Sequence, residues 1–174
     1  MILFYSIISL IILQRLVELM IAARNERWMK ARGGIEVGQE HYKWFIYLHV
    51  LFFVCLMVEK NIIQYVFQNS VVFYKGAFII FLLAQSFRIW CIQSLGRFWN
   101  TKIIVIPKLA LIRKGPYKYL KHPNYIIVFI ELIVIPLMFG LYVTALIFPF
   151  LHLLLLSVRV PQEDGALGRR TSVK

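Results

Sequence analysis

Gly115-Pro116-Tyr117-Lys118-Tyr119-Leu120-Lys121-His122-Pro123-Asn124-Tyr125 is the stretch whose reading decides the fold of this chain. It leads into an apolar run from Ile126 to Val158, which the chain leaves at Arg159-Val160-Pro161-Gln162-Glu163-Asp164. That run has 33 residues. As one helix at about 1.5 Å per residue it would be about 50 Å long, well beyond a bilayer core of about 30 Å. Pro136 and Gly140 fall near its middle, where a helix kinks or turns. It therefore reads as two short helices over 126–139 and 141–158, joined in a tight hairpin. Both polar clusters then return to the same membrane surface and can build one site.

The rest of the chain fits a membrane protein. Of its 174 residues, 60% are hydrophobic and 16% charged, with a mean hydropathy of +0.73. An ordinary soluble domain is about 45–50% apolar and about 25% charged. Further spans are expected over 2–23, 44–63 and 71–95. The fold class expected is an all-α integral membrane bundle of about five transmembrane segments, the last two a tight helical hairpin. One membrane-embedded domain covers residues 1–174. The first apolar run has no charged region ahead of it and no small-residue cleavage site, so it is expected to stay as a span. No repeat is visible, and Cys55 and Cys91 form no CxxC motif and read as packing residues.

The formal net charge of +12 raises the question of nucleic acid. The basic residues lie between apolar spans rather than on a soluble face, so membrane topology explains them and no nucleic-acid partner is expected. Sixteen of them fall in residues 24–43, in residues 96–121 and in the tail, whereas only Lys60 and Lys75 fall on the opposite side. The positive-inside rule then places both long loops, the C-terminus and the site in the cytoplasm, with the N-terminus outside.

Taken singly, each chemistry-bearing residue has an ordinary explanation. His122 could merely cap a helix opened by Pro123, and Tyr125 could be an interfacial aromatic. Arg159 and Glu163 are four apart and could form a surface ion pair, with Pro161 kinking the helix between them. Together they put an Arg, two acids, a His and two Tyr at one membrane surface. Backbone N–H groups at the start of the second-last helix add anion-attracting donors. A cationic cofactor carrying an adenosyl group needs such a mixture. Within the spans, Arg15 and Glu18 are placed to pair, Arg88 to snorkel towards the surface, and Glu131 has no obvious partner. His41, His49 and His152 lack metal-ligand spacing, so no metal site is expected. Trp28, His41, Tyr42 and Trp44 read as an interfacial belt.

GPYKYLKHPNY, the hydrophobic hairpin and RVPQED together resemble the isoprenylcysteine carboxyl methyltransferase family over roughly residues 95–167. The first half, with NERWMKARGGIEVGQEHYKW, is more similar to a bacterial branch associated with alkylpyrone-type lipids. The resemblance implies S-adenosylmethionine as cofactor, bound from the cytoplasm. It implies cofactor contacts at Leu109, Ala110, Leu111, Ile112, Tyr117, His122, Pro123, Asn124, Tyr125, Glu163 and Asp164. Arg159 would bind the substrate, and Arg159 and His122 would be the catalytic pair. Lys121 stands where the family has Arg and Asp164 where it has a second Glu. Few residues follow Leu167, where many relatives continue with a further helix.

The expected reaction is transfer of a methyl group to an oxygen of a lipophilic or prenylated acceptor. A carboxylate needs no base, whereas an enol or phenol of an alkylpyrone would use His122 or Glu163. A reading from another class is a non-enzymatic membrane scaffold or transporter subunit. A transporter would show repeats or paired broken helices, and only one broken hairpin is present.

Overall fold

The structure is a computed structural model describing residues 2–67, 73–107, 109 and 112–168. Lys108, Arg169, Arg170 and Lys174, which entered the charge balance, lie outside the described residues. So do residues 71 and 72 at the start of the expected third span.

Among the described residues five α-helices carry the fold: α1 Ile2–Lys30, α2 Gln39–Phe67, α3 Lys75–Leu95, α4 Pro123–Leu137 and α5 Tyr142–Gly168. All but α4 are long and apolar enough to cross a membrane. At 15 residues, α4 rises only about 22 Å and works as the short arm of a hairpin with α5. This is the all-α membrane bundle; α1, α2 and α5 run several residues beyond the expected spans, α3 starts at Lys75 rather than 71, and α4 is shifted to 123–137. The hairpin turns where Pro136 and Gly140 predict. Gly140 takes φ 70°, and the Leu141 N–H donates to the Pro136 carbonyl at 3.0 Å. The first turn of α5 is tied to α2 by Glu59. Its carboxylate accepts from the Val143 N–H at 2.9 Å, the Thr144 N–H at 2.8 Å and the Thr144 hydroxyl at 2.5 Å. An anion there satisfies two orphan donors and suits the helix dipole.

Phe4, Ile8, Phe52, Leu56, Ile135 and Phe148 are buried together in the apolar core. Leu10, Leu83 and Leu146 stand exposed on outer faces that lipid would cover. The interior also holds charge. Glu131 of α4 accepts from Arg15 Nη2 at 2.5 Å, Gln85 Nε2 at 2.6 Å and Arg88 Nε at 3.1 Å, with a further short contact from Arg88 Nη2. Glu18 completes the group through Arg15 at 2.6 Å and Arg88 at 3.3 Å. Two arginines and two glutamates leave it neutral, which is what makes burial tolerable.

Two expectations are corrected here. Arg88 does not snorkel: it is buried and pairs with Glu131 and Glu18, whose carboxylates compensate its charge inside the bundle. Glu131, which had no partner in its own segment, finds them on α1 and α3. Two further placements differ. Lys60, counted as an outer-loop charge, is buried at the end of α2 and donates to the Tyr5 hydroxyl at 3.0 Å. Helix α5 runs through Pro161 to Gly168, so Arg159 and Glu163 share a face.

Two short strands, β1 Ile35–Val37 and β2 Ile103–Val105, form an antiparallel pair with Glu36 opposite Ile104. They fasten the 96–121 loop to the α1–α2 connection. Lys102 reinforces this with ion pairs to Glu26 at 2.9 Å and Glu36 at 3.3 Å. Burial lowers its pKa, but the hydrogen bonds to both acids outweigh burial and hold it above the usual lysine value. Asn25 donates to the Trp99 carbonyl at 2.7 Å, and Asn100 to the Ala22 carbonyl at 3.1 Å. The loop is thus a fixed roof over the bundle.

Candidate active site

Local chemistry sets the polar mouth. Gly115 has φ 53°, and a Cβ there would sit 2.1 Å from Ser94 Oγ. Only glycine lets this loop approach α3 so closely. The one-turn 3-10 helix Gly115–Lys118 follows, with Pro116 at its start. Pro123 opens α4 and disfavours helical backbone at His122. His122 accordingly sits outside the helix with φ −127° and makes no side-chain cap. Its ring is left free to turn towards α5.

There it meets both acids. His122 Nε2 lies 3.0 Å from Asp164 Oδ1 and Nδ1 lies 3.6 Å from Glu163 Oε2. Its ring stacks on Tyr125 with centroids 5.3 Å apart. The Tyr125 hydroxyl donates to Glu163 in a very short contact and accepts from Arg159 Nε at 2.7 Å. Arg159 Nη2 donates to the Thr101 carbonyl at 2.6 Å, and the guanidinium covers the Phe45 ring at 4.9 Å. No direct Arg159–Glu163 ion pair forms among the described residues; Tyr125 stands between them.

This group lines one cavity of about 760 Å³, a size within the about 300–1,000 Å³ of ligand sites. Leu109, Ile112, Tyr117, His122, Asn124, Tyr125, Arg159, Glu163 and Asp164 all face it. Pro123 is buried and is not part of the wall. Ala110 and Leu111 lie outside the described residues. Burial and the nearby Cys91 and Glu163 raise the Tyr117 phenol well above its ordinary range, so it remains a hydroxyl. Lys121, in place of the family's Arg, is largely exposed and reaches Asp164 at 3.4 Å.

Several buried polar atoms of residues on this wall have no hydrogen-bond partner among the described residues: Asn124 Oδ1, Trp99 Nε1 and both ring nitrogens of His152. The backbone of Tyr125 approaches the His152 ring without completing a bond of normal geometry. Unpaired buried polar atoms are costly. No group of three or more His, Cys, Asp or Glu among the described residues is placed to hold a metal.

Sequence reasoning missed part of this cavity. Tyr42, Phe45, Ile46, His49, Val50 and Phe53 form one stripe of α2 along it, so Tyr42 is a wall residue and not a belt residue. His152 lies seven residues before Arg159 on α5, and Arg15, Glu18 and Arg88 also face the space. The spacings 42, 45, 46, 49, 50, 53 and 152, 159, 163 were the available signal, since residues three, four and seven apart share a helix face.

Residues 77–169 match the family model of the isoprenylcysteine carboxyl methyltransferase (ICMT) family. This chain belongs to that family. The match runs from α3 to just past α5 and contains the whole His122–Asp164 group. Over 164 residues the chain is 41% identical to "Uncharacterized protein YpbQ" of Bacillus subtilis, covering 94% of this chain and 96% of that protein. It is 33% identical over 155 residues to an "Uncharacterized protein" of Haemophilus influenzae, covering 88% of each. No solved structure matches. Family membership and the long apolar helices make this a multi-pass membrane protein of the methyltransferase class.

Proposed function

We propose that this family member is an S-adenosylmethionine-dependent O-methyltransferase acting on a lipophilic acceptor. The observation that carries the proposal is the continuity of one cavity from an acid-and-imidazole mouth to an apolar side. Leu16 and Leu19 of α1 and Ile46 and Val50 of α2 line it and are also exposed on the lipid-facing surface. A lipid can therefore enter sideways from the bilayer while a water-soluble cofactor enters from the polar mouth.

The residues present suit that cofactor. Glu163 and Asp164 supply negative charge to a cation, the unpaired Asn124 amide offers a partner to an adenine edge, and Leu109 and Ile112 give apolar cover. S-adenosylmethionine, when bound, supplies an electrophilic methyl group on a sulfonium. His122 Nε2 pairs with Asp164 and its ring stacks on Tyr125, which holds Glu163, so these side chains position one another. Arg159 gives Nε–H to Tyr125 and one Nη2 N–H to Thr101, and its remaining N–H groups are left to hold an acceptor oxygen. Enclosure of both reactants removes water and fixes alignment, which can lower a barrier by roughly 7–11 kcal/mol. The distribution of basic residues supports a cytoplasmic mouth and an external N-terminus.

Calorimetry of the purified protein with S-adenosylhomocysteine tests this. Saturable binding that weakens in Glu163→Ala is expected. Absence of binding by the unmodified protein, with its helical spectrum intact, would overturn the proposal.

A further inference from the structure

The end of α1 carries a cluster outside the cavity. Trp28 sits near the close of this membrane-length helix, the level at which interfacial aromatics are found. Two guanidinium groups share its indole. Arg32 lies over the ring at 4.0 Å from the centroid, and Arg97, from the one-turn 3-10 helix Gly96–Phe98, at 5.6 Å. Phe98 meets the same ring edge-on at 5.3 Å. Trp28, Arg32 and Arg97 do not line the cavity, whereas Phe98 does.

Nothing in the cluster balances its charge. No acid pairs with Arg32 or Arg97 among the described residues. Glu26 and Glu36, the carboxylates closest in sequence to Trp28 and Arg32, are taken by Lys30 and Lys102. Arg32 gives one N–H to the Trp28 carbonyl at 3.3 Å, and Arg97 makes no hydrogen bond among the described residues. The Trp28 Nε1–H is buried and has no partner there either. The two guanidinium carbons can be no farther apart than the sum of their distances to the shared centroid. That is within the Debye length of about 10 Å at 0.1 M salt, so salt does not fully screen them from one another. Membrane topology asks for cations in this loop, and a helix end welcomes them. Neither calls for two arginines from separate segments on one indole.

The surface leading to the cluster is apolar. Leu13, Val17 and Met20 are exposed, and exposed Arg24 and Arg27 continue the same face towards Trp28. Spacings of three and four residues keep all five in one line. At about 1.5 Å per residue the line is about 21 Å long, more than one leaflet's half of the about 30 Å hydrocarbon core. None of the five lines the cavity. Arg27 Nε donates to the Ala23 carbonyl at 3.4 Å, and neither Arg24 nor Arg27 has an acid partner among the described residues. An apolar track that ends in unpaired cations is complementary to an acyl chain that ends in a phosphate.

We propose that Trp28, Arg32 and Arg97 form a binding site for the phosphate of an anionic phospholipid, whose acyl chain lies along Leu13, Val17 and Met20. The phosphate oxygens accept from both guanidinium groups, whose forked donors suit them, and the negative charge offsets the repulsion between the two. The occupant is a bilayer lipid rather than a soluble phosphate, because the apolar track runs straight into the cations. The bound lipid ties α1 to the start of the 96–121 loop, and Phe98 carries that contact to the cavity wall. The site does not depend on the methyltransferase reading.

The test uses the full chain in neutral detergent, with phosphatidylglycerol and phosphatidylcholine of equal chain length as probes and native mass spectrometry counting the lipids retained. The unmodified protein should hold one phosphatidylglycerol more tightly than any phosphatidylcholine. Phosphatidylglycerol alone should also raise the melting point, as a ligand of the folded state does. Each arginine at a membrane surface favours an anionic lipid about fivefold, so Arg32→Gln combined with Arg97→Gln should weaken the site about 30-fold. Arg32→Lys with Arg97→Lys should fall between, since charge is kept and the fork is lost. Lys43→Gln with Lys114→Gln removes the same charge from exposed positions elsewhere and should leave the site nearly unchanged. Equal retention of the two lipids by the unmodified protein overturns the proposal, as does a glutamine pair at 32 and 97 that weakens binding no more than the pair at 43 and 114. Displacement of the lipid by excess inorganic phosphate overturns the bilayer lipid as occupant.

Discussion

Replacing Glu131 by Ala removes the acceptor of four hydrogen bonds from Arg15, Gln85 and Arg88. Arg88 is buried, and Glu18 would be left to serve two guanidinium groups, with Arg88 already at 3.3 Å from it. Breaking a buried ion pair from one side costs about 3–5 kcal/mol, because the remaining charge stays buried without compensation. For a chain of this size about 1 kcal/mol moves a melting point by roughly 2–4 °C, so a fall of roughly 6–20 °C is expected. The same argument makes a stronger prediction. Arg88→Met combined with Glu131→Leu removes one charge of each sign and leaves Arg15 with Glu18 at 2.6 Å. That double variant should be more stable than Glu131→Ala alone, approaching the unmodified protein, since well-packed apolar replacements of buried ion pairs are often neutral. Thermal unfolding in detergent, followed by tryptophan fluorescence, measures all three. A double variant no more stable than the single one would refute the reasoning, as would a Glu131→Ala protein that melts unchanged.

Other predictions test other parts of the account. Arg159→Ala should lower methyl transfer by about 10- to 150-fold, the equivalent of losing about 1.5–3 kcal/mol from a charged hydrogen bond. S-adenosylhomocysteine binding should be nearly unchanged, and Arg159→Lys should recover part of the loss. Equal loss of cofactor binding would remove the acceptor role. Glu59→Ala should destabilise the α4–α5 hairpin by about 1 kcal/mol, as for a lost helix cap, and hydrogen exchange at Val143 and Thr144 should speed up first. Reporter fusions after Lys30 and after Arg113 should report cytoplasm, and one after Asn69 the outside. A cytoplasmic signal at Asn69 would contradict the proposed orientation.

The hairpin and the residues at its two ends were legible because length and chemistry agreed. A 33-residue apolar run cannot cross once, and the breakers Pro136 and Gly140 lie where the turn forms. His-Pro at the entrance and Glu163-Asp164 at the exit then had to meet. The buried charges were not legible in the same way. Arg15 and Glu131 are 116 positions apart, and nothing local says which face of α3 turns Arg88 inwards rather than towards the surface. The two strands are three residues each, too short for a periodic signal, although Gly33-Gly34 and Gly38 bracket the first. His49 was passed over because it was weighed as a metal ligand. Its place on the cavity wall, on the α2 stripe that it shares with Phe45, shows only once the fold is known.

The central claim is that one cavity brings a methyl donor and a lipophilic acceptor together. Its most direct test is transfer of labelled methyl from S-adenosylmethionine into organic-soluble material, using the purified full chain and a lipid extract from cells that lack it. The account predicts label in a lipid fraction that requires the protein and is competed by S-adenosylhomocysteine. An intact, helical protein that transfers no label to any fraction and binds no S-adenosylhomocysteine would contradict it.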